Sequence, residues 1–89
     1  MLYAAKCFWP GVTEEELLLA ADRAGSSGED QAAFCGALYL PADEIVLSLF
    51  ESHSSVRVKR ACEAAGMPCE RVIETLWVAP GNAHSRPVL

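Results

Sequence analysis

The chain's donor and proton-transfer chemistry resides in a few residues. Cys62 and Cys69 flank the turn in "ACEAAGMPCERV" (61–72), Glu51 and His53 share "FESHSS", and Cys7, Cys35 and Tyr39 stand elsewhere. Thiolates bind soft or borderline metals, but two of them need imidazole or further thiolate company to hold nickel or zinc. The cysteines at 7, 35, 62 and 69 form no C-x-x-C, so the redox and zinc-ribbon spacings are absent. Glu51 precedes His53 by two, and an extended backbone puts both on one side. A carboxylate beside an imidazole raises its pKa and orients it, for acid–base work or for metal binding. The candidate metal ligands are therefore His53, Cys69 and Cys62, and the candidate catalytic groups His53, Glu51 and Tyr39.

Each candidate also has a plainer account. Cys62 shares a helical stripe with Val58 and Ala65 and reads as a small core residue. Cys69 reads as a loop residue at a strand edge, Cys7 and Cys35 as strand residues in the core, and His53 as an exposed residue ahead of a helix cap. Lys6 and Glu74 are charges inside strand patterns, suited to a polar cavity or a solvated edge. Tyr3, Tyr39, Trp9 and Trp77 could wall a ligand pocket or simply pack. His84 falls in the tail. No G-x-S-x-G, P-loop or H-E-x-x-H occurs, which leaves hydrolase, NTPase and metalloprotease readings without support.

The elements that must position these residues are legible in turn. Leu2–Trp9 alternates as a strand, with Tyr3, Ala5, Cys7 and Trp9 on one face, and Pro10-Gly11 ends it. Thr13 and Glu16 form a capping box ahead of a helix that Gly25 stops, and Glu14–Glu16 suit the positive end of its dipole. "SSGEDQ" (26–31) reads as a mobile polar loop. Two apolar runs, 32–40 and 44–51, are joined by a Pro41-Ala42-Asp43 hairpin signal. Ser54 caps a second helix whose Val58, Ala61, Cys62 and Ala65 form a buried stripe, with Gly66 and Pro68 stopping it. Glu70–Val78 alternates as the last strand, and 79–89 reads as a tail without periodicity. The order β-α-β-β-α-β predicts a ferredoxin-like α+β fold over 1–78, an antiparallel four-stranded sheet with two helices on one face.

That arrangement leaves one sheet face bare, and composition bears on how it is covered. A chain of 89 residues makes one domain and buries only roughly 60 % of its unfolded surface. The 52 % hydrophobic fraction is rich in alanine and holds only 8 % aromatics, so the core is thin. A homodimer joined sheet to sheet, closing a shared α+β barrel, is the expected remedy. The net charge is −5 and "RVKR" (57–60) is the one basic cluster, which argues against nucleic acid. No apolar run approaches the ~20 residues of a membrane span, and "MLYAAKCFWPG" lacks a cationic signal-like region, so a cytoplasmic location with reduced thiols is expected.

"FWPGVTEEEL" (8–17) together with "FESHSSVRVKRACEAAGMPCERVIETLWV" (50–78) resembles the domain-of-unknown-function 4242 family of small bacterial proteins. The resemblance rests on Pro10, Gly11, Thr13, Glu15, Glu16, Glu51, Val58, Ala65, Gly66, Pro68 and Val72. It implies a ferredoxin-like dimer and a small, non-catalytic, nickel-binding protein. In the family pattern the second helix carries a histidine one turn before its Ala-Gly stop. This chain has Arg60-Ala61-Cys62 there, so no family ligand is carried across. The alternatives are a dimeric α+β-barrel enzyme (a cyclase, isomerase or cofactor-free oxygenase acting on a small molecule) and a structural or regulatory dimer without ligand.

Overall fold

A computed structural model describes residues 1–26 and 32–81. The expected loop at 27–31, His84 and the tail from 82 onward lie outside the described residues. Six elements follow in order: β1 (Leu2–Phe8), α1 (Glu14–Ser26), β2 (Ala32–Leu40), β3 (Ile45–Ser52), α2 (Ser55–Ala64) and β4 (Cys69–Thr75). The strands lie side by side as β2-β3-β1-β4, and all three neighbouring pairs are antiparallel. The fold is ferredoxin-like α+β.

Local chemistry starts and stops each element. Glu16 N–H donates to Thr13 Oγ1 at 3.1 Å while Thr13 N–H donates back to Glu16 Oε1 at 3.2 Å, a complete capping box on α1. Ser54 Oγ accepts from Arg57 N–H at 3.3 Å and caps α2. At the far end of α2, Met67 N–H bonds the Cys62 carbonyl (2.9 Å) and Gly66 N–H bonds that of Glu63 (3.1 Å). That pair is a Schellman motif, and Gly66 takes the left-handed φ of 77° that it requires. Arg23 of α1 donates from Nε to the Ala65 carbonyl at 2.9 Å, tying the two helix ends together.

Several boundaries differ from the sequence reading: α1 runs through Gly25, the expected stop, to Ser26, and β3 spans Ile45–Ser52 and not 44–51. β1 stops before Trp9, whose N–H instead bonds the Glu44 carbonyl in the β2–β3 turn at 2.8 Å. β4 spans Cys69–Thr75, not 70–78. Its ladder with β1 ends at the pair Leu2–Thr75, and Leu76, Trp77 and Val78 run on exposed.

The register sorts the side chains. Tyr3, Ala5 and Cys7 face the helices with Phe50, Ser48 and Val46 across β3. These residues join Val58, Ala61 and Cys62 of α2 and Ala20 and Ala24 of α1 in one core, closed by an edge-to-face contact between Phe34 and Phe50 at 5.4 Å. The opposite face carries Leu2, Ala4, Lys6 and Phe8, alongside Ile45, Leu47 and Leu49 of β3 and Leu38 and Leu40 of β2. Core residues of both helices pack on the other side, while Ala4 and Leu49 at the centre of this face are buried and Phe8, Leu38 and Leu40 stay exposed. No described helix is long and apolar enough to cross a membrane.

Candidate functional site

Three of the four cysteines meet where α2 ends and β4 begins. The Schellman turn drives Cys62 and Met67 into the core, and Pro68 then delivers the chain to Cys69 at the start of β4. There Cys69 is the register partner of Cys7 at the end of β1. A shift in pairing between Lys6 and Cys7 skips Glu70, so a thiol and not a carboxylate stands opposite Cys7. Cys7 and Cys62 are fully buried, and Cys69 is half-buried at the rim. All four cysteines are unbridged thiols. Ser48, also fully buried, donates from Oγ to Met67 Sδ at 3.4 Å and adds polar lining to the seam.

The three thiols influence one another's protons, while Cys7 Sγ donates to the Ala5 carbonyl at 3.7 Å and Cys69 Sγ to the Arg71 carbonyl at 3.5 Å. Cys62 donates to Cys7, which holds the Cys7 thiol below its ordinary value; burial opposes this, and Ser48 and Cys69 reinforce it. Holding that proton against Cys7, together with burial and the nearby sulfurs, pushes Cys62 far up. Cys69 is raised chiefly by burial and by the charge Cys7 would carry, while a hydrogen bond from Cys62 and the Lys59 ammonium pull it back.

The acid and imidazole candidates stand at the other end of the sheet. Glu51 pairs with Leu2 and Cys7 pairs with Val46, so five residues of strand, roughly 16 Å, separate them. Glu51 lies on the open face by register, with one carboxylate oxygen 3.8 Å from the Met1 amino group. His53 follows β3 at its exposed corner with α2. The candidate ligand set is thereby divided: Cys62 and Cys69 come together, and His53 does not join them within one chain. The candidate catalytic set is divided too. Tyr39 pairs with Val46 at the far end of β3, on the helix-facing side, and its hydroxyl donates to the Val12 carbonyl at 3.3 Å. Cys35, expected in the core, is the extra residue of a bulge in β2 and is only half-buried. Lys6 pairs with Glu70 at 3.8 Å, and Glu74 is exposed. Among the described residues, no group of three or more His, Cys, Asp or Glu is arranged to hold a metal ion.

Cys7 is the participant that side-chain patterning alone did not assign to the seam. The signal existed: the ferredoxin-like order sets β1 antiparallel to β4, which brings the end of one strand against the start of the other.

Element order and strand order make this a small ferredoxin-like α+β domain, and in this chain the join between sheet and second helix is lined by thiols. A solved member of the same fold is the crystal structure of SCO4226 from Streptomyces coelicolor A3(2). It superposes with a TM-score of 0.72 at 24 % sequence identity, over 89 % of this chain and 100 % of that one. No protein-family model and no curated protein matches the chain.

Proposed function

We propose that the protein works as a homodimer joined through its open sheet face, and that it is a small, non-catalytic metal-binding protein of the nickel type. The observation that carries the reading is the bare face itself, which ends in donors. Phe8, Leu38, Leu40 and Ile73 are 52 %, 50 %, 37 % and 36 % exposed on it, an apolar expanse that a second copy would cover. At its edge stand Glu51 and, at the adjoining corner, His53. Imidazole and carboxylate suit a divalent ion such as nickel. Two donors per protomer make half a coordination set, and a two-fold axis near that edge would bring the other half.

The thiol seam is the weaker host for such an ion. It lies on the helix side of the sheet, away from the proposed interface, and metal binding requires deprotonated thiolates. The hydrogen bond to Cys7, with burial, pushes Cys62 the opposite way, and burial does the same to Cys69. A reducing, cytoplasmic setting is the natural one for four unbridged thiols.

Two measurements on tag-free protein test this. Sedimentation should give a dimer for the wild type and a monomer for Leu38→Asp. Calorimetric titration with nickel should show micromolar binding that His53→Ala and Leu38→Asp both abolish and Cys69→Ser leaves unchanged. A monomeric wild type would sink the assembly, and nickel binding that survives His53→Ala would sink the site.

A further inference from the structure

The seam supports a second chemistry that is independent of assembly and of metal. We propose that Cys7 and Cys69 are an oxidisable pair, in which a peroxide oxidises Cys69 and Cys7 then closes a disulfide to it across the β1–β4 ladder.

Three observations carry this. The first is register: Cys7 and Cys69 are facing partners on adjacent antiparallel strands. Facing residues of a regular antiparallel pair have Cα atoms roughly 4.5–5.5 Å apart; this pair flanks the shift that skips Glu70, and a disulfide spans separations of about 4.4–6.8 Å. The second is access. Cys7 is sealed, whereas Cys69 is half-buried at the rim. Beside it opens a groove of about 240 Å³ lined by Ser55, Val56, Lys59, Glu70, Arg71 and Val72. A small oxidant therefore meets Cys69 first; burial raises that thiol, and Lys59 offsets part of the rise. The third is the setting of the Cys7 sulfur: Cys62, Ser48 and Cys69 stand around it and favour its thiolate against burial, which makes Cys7 the sulfur best prepared to attack.

The steps balance. The Cys69 sulfur attacks one peroxide oxygen and the O–O bond breaks, giving Cys69 sulfenic acid and one water. The Cys7 sulfur then attacks the Cys69 sulfur, the S–O bond breaks, and the hydroxyl leaves with the Cys7 proton as a second water. Two thiols lose two hydrogens and two electrons, and the peroxide is reduced to two waters. Cys62, donating to both partners, moves a proton and forms no bond to sulfur. A bridge between neighbouring strands is accessible to thiol reductants, as a reversible modification must be.

The test treats the intact wild-type chain with hydrogen peroxide, quenches with alkylating agent under denaturing conditions, and maps peptides without reduction. The expected product has lost two hydrogens, joins the Cys7 peptide to the Cys69 peptide, keeps Cys35 and Cys62 alkylated, and reverts with dithiothreitol. In Cys7→Ser, Cys69 should instead be trapped by dimedone as sulfenic acid. A Cys62–Cys69 link, a link through Cys35 between chains, or four intact thiols under peroxide that oxidises glutathione would each overturn the proposal. The wild-type map decides the pairing even if the variant folds poorly.

Discussion

The two faces of the one sheet are built from alternate residues of the same strands, yet they follow opposite rules. Toward the helices the strands present Ala5, Cys7, Val46 and Ser48, small groups that are fully buried, with Phe50 and Tyr3 as the large anchors. α2 answers with Val58, Ala61 and Cys62, and α1 with Ala20 and Ala24. Toward the open side the same strands present Phe8, Ile45, Leu47, Leu38 and Leu40. Small residues let a helix lie close and leave no room for adjustment. On the open side Ala4 and Leu49 are buried among their neighbours, while Phe8, Leu38 and Leu40 stay substantially exposed. The covered face is a finished core, and the open face is half of one.

The difference is sharpest at Phe50, the largest fully buried side chain. Phe50→Ala removes the ring that Phe34 meets edge-on and should cost about 3–5 kcal/mol in a denaturant titration, because close-packed neighbours cannot collapse into the gap. A loss below 1 kcal/mol would mean that the helix-facing side is loosely packed. Enlarging residues tests the same contrast from the other direction. Ala5 is fully buried on the covered face and Ala33 is exposed on the bare one, beside Glu51. Ala5→Leu should destabilise by about 1–3 kcal/mol through overpacking. Ala33→Leu should change stability by no more than about 0.5 kcal/mol. Equal effects at the two positions would erase the distinction between the faces.

Much of this frame was legible in the residues. Thr13 and Glu16 announced their helix start, Ser54 announced the other, and Gly66 with Pro68 marked the stop, because each signal is local chemistry that needs no partner in space. The Val58, Ala61, Cys62 stripe likewise told its face from periodicity alone. Harder to read was anything set by pairing. The bulge that places Cys69 and not Glu70 against Cys7 is a property of two strands together, as is the end of β4 at Thr75. The distance between His53 and Cys69 depends on α2 carrying the chain back along the whole sheet, which no spacing in sequence conveys. Element order predicted the open face, since a β-α-β-β-α-β chain sets both helices on one side of its sheet.

The smallest effect at neutral pH is also the most informative about the covered face. At neutrality Cys62 and Cys69 carry their protons in folded and unfolded chains alike, so their titration contributes no slope. Both are raised in the folded state, Cys62 by its hydrogen bond to Cys7 and Cys69 by burial. As pH climbs past the ordinary thiol value of about 8.5, the unfolded chain releases protons that the folded chain keeps, and stability falls. Cys7, held below its ordinary value by the Cys62 donor, opposes this, one thiol against two. The wild type should therefore lose stability on an alkaline limb beginning near that pH. Cys62→Ala removes the most strongly raised group and, with it, the donor that lowers Cys7, so its limb should be shallower whatever its stability at neutral pH. Comparing melting temperatures of the two proteins across the alkaline range isolates the slope from the cavity the substitution leaves. An equal or steeper limb in Cys62→Ala would show that the sulfurs do not share protons and that the seam is packing alone.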